Sequence, residues 1–97
     1  MPLRFSFKSN FQKAFDKLPP QKQQLVLKAL DALASYFQST QAPHGLGVRK
    51  LYTRGPHKTF EARVSIDLRL VWVETKEEAI FALLGDHNEV QRFLKNL

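Results

Sequence analysis

Near His44 and Gly45 the hydrophobic period of this sequence changes from that of a long helix to that of strands, and the change limits what the chain can become. Before it, Val26, Leu30, Leu33 and Phe37 recur at helical spacing from residue 21 to about residue 38, with Leu25, Leu27, Ala29, Ala34 and Tyr36 widening the apolar stripe. After it come short runs rich in β-branched and aromatic residues, at 46–53, 59–65, 68–74 and 79–84, each bounded by turn-forming residues. A chain of 97 residues, 43% of them hydrophobic, has material for one core and not for two. Helices and strands must share it, which predicts a single α+β domain over residues 1–97.

The ends of the chain fit that class. Leu3, Phe5 and Phe7 alternate with Arg4, Ser6 and Lys8 as a half-buried first strand does. Ser9 or Asn10 can cap a short helix whose face is Phe11, Phe15 and Leu18. Pro19 ends it, and Pro20 suits the first turn of the next helix, which predicts an antiparallel helix pair on a sheet. Gly55-Pro56, Ser65-Ile66-Asp67 and Thr75-Lys76-Glu77-Glu78 supply reversals for a four-stranded antiparallel meander. Its last two strands are apolar on both faces and belong at the centre. Asp86 or Asn88 then caps a C-terminal helix with Val90, Phe93, Leu94 and Leu97 on one face.

Fifteen Lys and Arg against nine Asp and Glu give a formal charge of +6, which favours polyanionic partners. The excess is local: Arg49, Lys50, Arg54, Lys58, Arg63 and Arg69 crowd the middle of the chain, opposed there by Glu61 and Asp67. No apolar run approaches the roughly 18 residues of a membrane span, and the first residues lack a signal peptide's apolar stretch. A soluble, unexported, cytoplasmic protein without a membrane partner is the expectation. With no cysteine there is no disulfide framework and no thiolate nucleophile. The histidines at 44, 57 and 87 have no metal-ligand spacing, no glycine-rich phosphate loop is present, and no cofactor is expected.

Three strings stand in order on this framework: Phe60-Glu61-Ala62-Arg63-Val64-Ser65, Asp67-Leu68-Arg69-Leu70-Val71-Trp72, and Gly85-Asp86-His87-Asn88-Glu89-Val90 followed by Arg92-Phe93-Leu94. Together with the element order they resemble the RelE/ParE superfamily of toxin-antitoxin toxins, over nearly the whole chain. The resemblance implies a toxin neutralised by a cognate antitoxin protein. RelE-like members are mRNA interferases, ribosome-dependent endonucleases that direct a 2′-hydroxyl at the adjacent phosphate without a metal. ParE-like members act instead on DNA gyrase, and a non-catalytic relic that only binds its partner is a third possibility, since fold alone does not fix function.

RNA cleavage by its own 2′-hydroxyl needs a proton acceptor, cations for the charge growing on the phosphate, and a proton for the leaving 5′-oxygen. His87, at the start of the last helix, is the acid/base candidate, because an imidazole with its ordinary pKa of roughly 6.5 transfers protons near neutrality. Arg63 and Arg69 correspond, by the resemblance, to basic positions near the scissile phosphate. Arg69 sits in an apolar strand and needs an anion, either that phosphate or an ion pair with Glu61 or Asp67. Glu61 shares a strand face with Arg63 and either acts as a base or orients it. Arg49, Lys50, Arg54, His57 and Lys58, on or near the loop between the first two meander strands, are candidate RNA-binding residues. The family's tyrosine after the closing Glu-Val is Gln91 here, so base stacking would fall to Tyr52 or Phe93.

Overall fold

A computed structural model describes residues 4–39 and 47–96, so the expectations for Leu3, for the loop at 40–46 with His44 and Leu46, and for Leu97 lie outside the described residues. Strand β1 (Arg4–Phe7) runs almost directly into helix α1 (Ser9–Asp16). Neither Ser9 nor Asn10 caps that helix. Lys8 holds the capping position without a side-chain bond, and its backbone N–H donates to the Phe81 carbonyl at 2.9 Å. The strand ladder continues up to the first helical residue, so both proposed caps already lie inside the helix.

Pro20 opens α2 (Pro20–Ser39), where its missing N–H needs no partner. The Gln23 side-chain amide donates to the Phe15 carbonyl at 2.9 Å and ties the two helices together. Val26 and Leu33 are fully buried, but Leu25 and Leu27, assigned to the apolar stripe from the sequence, are exposed. At about 100° per residue they fall on either side of Val26 and miss the sheet.

The strands β2 (Arg49–Arg54), β3 (His57–Ser65), β4 (Leu68–Glu74) and β5 (Glu78–Gly85) form the expected antiparallel meander. The sheet order is β1-β5-β4-β3-β2, with β1 pairing parallel to β5, a neighbour that strand patterning does not reveal. The β2–β3 turn is tighter than the sequence suggested: Arg54 and His57 are cross-strand partners around Gly55 and Pro56. Gly55 has a φ of +60°, and proline's fixed negative φ excludes a type I′ turn, leaving type II′. His57 and Lys58 therefore sit on a strand and not in a mobile loop.

Helices α1 and α2 cover one face of this sheet. Phe11, Val26 and Leu33 pack there with Ala62, Leu70, Trp72, Phe81 and Leu84. Trp72 is the hub: Phe60 stacks on it at 5.4 Å between ring centres, and Phe37 of α2 meets it edge-on at 5.9 Å. A register shift near Trp72 gives β5 one extra residue, Ala82. That shift lets Phe81 and Leu84 both face the core and sends Gly85 to the other side, opposite Arg69.

Helix α3 (His87–Lys95) lies against β5 and β4. Of the two candidate caps, Asp86 serves: its Oδ1 accepts from the Glu89 N–H at 2.8 Å, while Glu89 Oε1 accepts from the Asp86 N–H at 3.1 Å. Val90 is buried and Phe93 and Leu94 half-buried. Val71 is also buried, and like Val90 it stands outside the helix-covered cluster, so each face of the sheet has its own apolar cover. Among the described residues no helix is long and apolar enough to cross a membrane.

Candidate functional site

Side chains alternate across a strand, so the partners of the core residues on β3 form a second set: His57, Thr59, Glu61 and Arg63. Their cross-strand neighbours extend it, with Arg54 opposite His57, Tyr52 opposite Thr59, Arg49 opposite Glu61, and Arg69 opposite Arg63. Arg69 in turn pairs with Gly85, two residues before His87. The register thus brings Arg63, Arg69 and the start of α3 into one row across β3, β4 and β5. Lys50 and Lys58 belong to the opposite face: Lys50 pairs with Phe60, and Lys58 lines a cleft with Phe60 and Tyr36. Of the five candidate RNA-binding residues, Arg49, Arg54 and His57 share the face of Arg63, and these two lysines do not.

Arg63 and Arg69 are like charges directly opposite each other, an arrangement that destabilises a sheet unless anions intervene. Glu61 supplies one. Its side chain is 4% exposed; its Oε1 accepts a hydrogen bond from Arg69 Nη1 at 3.2 Å and forms an ion pair with Arg49 Nη2, also at 3.2 Å. Of the alternatives for Arg69, the ion pair with Glu61 is therefore realised. Glu61 contacts Arg49 and Arg69 and not the Arg63 it was expected to orient. Arg63 is exposed, and among the described residues no carboxylate pairs with it.

Asp67 is occupied elsewhere. It accepts from Lys22 Nζ at 2.9 Å and from Ser65 Oγ at 2.8 Å, bonds that hold its carboxyl below the usual carboxylate range, the Lys22 bond contributing most. It pins the β3–β4 turn to α2 and does not neutralise either arginine.

His87 is the first residue of α3 and is exposed. The capping box beside it fixes where the backbone turns from strand to helix. Gly85 is part of that device: a Cβ there would stand 2.8 Å from Glu89 Cδ, so only glycine lets the Glu89 side chain fold back over the strand end. Gln91 is exposed, and Phe93 is half-buried. Tyr52, 43% exposed, is the aromatic side chain on the arginine face. A cleft of about 460 Å³ lined by Tyr36, Phe37, Phe60 and Trp72 lies at the opposite end of the β3–β4 ladder, under α2, and Trp72 has no exposed surface within it. Along the arginine row Arg63 is exposed, Arg69 half-buried and Gly85 buried.

No protein-family model matches the sequence, and neither does any curated protein. Solved structures do match the fold. The archaeal RelE–RelB complex from Pyrococcus horikoshii superimposes with a TM-score of 0.71 at 19% identity, covering 89% of this chain and 96% of that one. A toxin from Helicobacter pylori gives 0.63 at 23% identity, covering 91% and 98%. The Escherichia coli DinJ–YafQ toxin-antitoxin complex gives 0.66 at 16% identity, covering 93% and 98%. Over nearly the full length of each, the chain has the fold of the RelE and YafQ toxins.

Proposed function

We propose that this protein is the toxin of a toxin-antitoxin pair and an endoribonuclease acting on messenger RNA at the ribosome, in the cytoplasm, without a metal. The observation that carries the reading is the cross-strand row Arg63–Arg69–Gly85, which puts two guanidinium groups beside the residue that leads into His87. An RNA phosphate over this row supplies the anion that Arg63 lacks among the described residues, and a planar guanidinium grips phosphate oxygens with paired hydrogen bonds. The 2′-hydroxyl of the preceding nucleotide loses its proton to a base and attacks that phosphorus, the arginines hold the added negative charge, and the 5′-oxygen leaves with a proton. The products are a 2′,3′-cyclic phosphate and a free 5′-hydroxyl. His87 is the group for proton transfer. Glu61, buried between two arginines, is not free to serve as the base. Arg49, Arg54 and His57 continue the cationic face along β2 and β3, with Tyr52 among them to stack on a base.

The structural relatives seen in complex with RelB and DinJ support an antitoxin partner here as well. The test is expression of the wild type and of the Arg63→Ala/His87→Ala protein in cells. Growth arrest with cleaved messages from the wild type alone is expected; equal message decay from both would sink the reading. Arrest with intact messages and broken DNA would favour the gyrase-directed alternative, and no arrest at all, in keeping with Gln91, a partner-binding relic.

A further inference from the structure

Glu61 is an odd residue for the middle of a sheet that is to hold a polyanion. It is nearly fully buried, it carries the same charge as RNA, and it sits on the arginine face. Stability does not explain it, because a buried ion pair repays little more than the desolvation of its own charges, and an apolar side chain of similar size would do as well. Its contacts offer a different account. One oxygen, Oε1, stands 3.2 Å from a single nitrogen of each of two arginines on the two neighbouring strands, in an ion pair with Arg49 of β2 and a hydrogen-bonded ion pair with Arg69 of β4. A guanidinium has five N–H donors, so a one-nitrogen contact fixes its direction and leaves most of its donors unused. Arg49 remains 63% exposed at its side chain and Arg69 24% exposed. With Arg63 two residues further along β3, the group carries three positive charges and one negative.

We infer that Glu61 is a positioning residue: it draws Arg49 and Arg69 together from opposite sides into one preset guanidinium pair, and makes Arg49 part of the phosphate-holding group and not only of the surface path. This deepens the RNA-cleaving reading and rests on it. Without Glu61 the two arginines would repel each other, and each would have to be ordered at the moment the anion binds, which weakens binding.

Simple electrostatics and positioning predict opposite signs, which makes the inference testable. Removing a negative charge near a polyanion should tighten binding if charge alone matters. If Glu61 positions the arginines, Glu61→Gln should weaken it by about tenfold although the protein gains one positive unit. The probe is a short single-stranded RNA with 2′-deoxy sugars at the scissile positions, followed by fluorescence anisotropy at one fixed salt concentration, with urea unfolding measured in parallel. Arg49→Ala should weaken binding by about as much, and the double variant should be little worse than either single one, because both remove the same pair. Arg49→Lys, at an exposed site that does not endanger the fold, keeps the charge but loses the planar fork, and should resemble Arg49→Ala. Tighter or unchanged binding by a folded Glu61→Gln, additive losses, or wild-type affinity for Arg49→Lys would each overturn the inference and leave the roles of Arg63 and His87 standing. Failure of the wild type to bind the RNA would remove the functional reading and this inference together. Should Glu61→Gln not fold, the Arg49→Lys result decides alone.

Discussion

On β3, Phe60, Ala62 and Val64 pack into the helix-covered core, while Glu61 and Arg63, set between them, carry charge on the other face. The two faces share one backbone and differ in what they give up. The helix side is dry and aromatic, with Trp72 held among Phe37, Phe60 and Phe81, so its contribution is cohesion. The arginine side keeps like charges opposed across β3 and β4 and so lowers stability where an anion can restore it. Cohesion and charge are thus separated by the alternation of a single strand, and substitutions on the two sides should fail in different ways.

The largest effect is expected on the helix side. Trp72→Ala should lower unfolding free energy by about 3–5 kcal/mol in urea titrations, since it empties the hub of the core. RNA cleavage should fall only as far as the folded fraction does. A Trp72→Ala protein that stays folded yet is inactive would show that the two faces are not independent.

Next come Arg63→Ala and His87→Ala. Each should reduce cleavage of a model message by about 100-fold or more, an effect on the reaction barrier of about 2.7 kcal/mol, with the urea midpoint held or, for Arg63→Ala, slightly raised as repulsion with Arg69 is relieved. Loss of stability in step with loss of cleavage would mean that these side chains are structural.

Gly85→Ala should have a smaller effect on both properties. The new methyl group displaces Glu89, which breaks one half of the capping box and costs about 1 kcal/mol, and it moves the helix start that carries His87. Thermal unfolding and cleavage measured on one preparation would register both changes.

Asp67→Asn should matter least. Because the folded protein lowers the Asp67 carboxyl below its ordinary range, chiefly through Lys22, its contribution is present above that range and disappears as pH falls through the lowered value. Wild type and Asp67→Asn should therefore differ slightly in urea midpoint at neutral pH and converge in strong acid. A gap that widens on acidification would contradict the assignment.

Much of the fold could be read from local pattern, because helix period, strand alternation and turn chemistry are properties of neighbouring residues. The meander, its central strands and the closing helix came from such signals. What escaped depended on distant partners. Nothing near Phe5 says that β1 will lie parallel to β5, and nothing near Ser9 says that Lys8 will be tied to Phe81. In the candidate site, Arg63, Arg69 and His87 were legible as chemistry and by resemblance. The contact from Arg49 to Glu61 was not, since it follows from a cross-strand register with a bulge near Leu51. The same register divides the basic cluster between the two faces and separates Lys50 and Lys58 from their neighbours in sequence.

The pairing of β1 with β5 also sets an order of events during synthesis. β1 is made before β5 and must wait for it, so this sheet cannot be completed until β5 has been made, and α3 with His87 follows later still. Contacts of such long range form slowly and only late in folding. A growing chain therefore carries its arginines well before the row from Arg63 to Gly85 is complete.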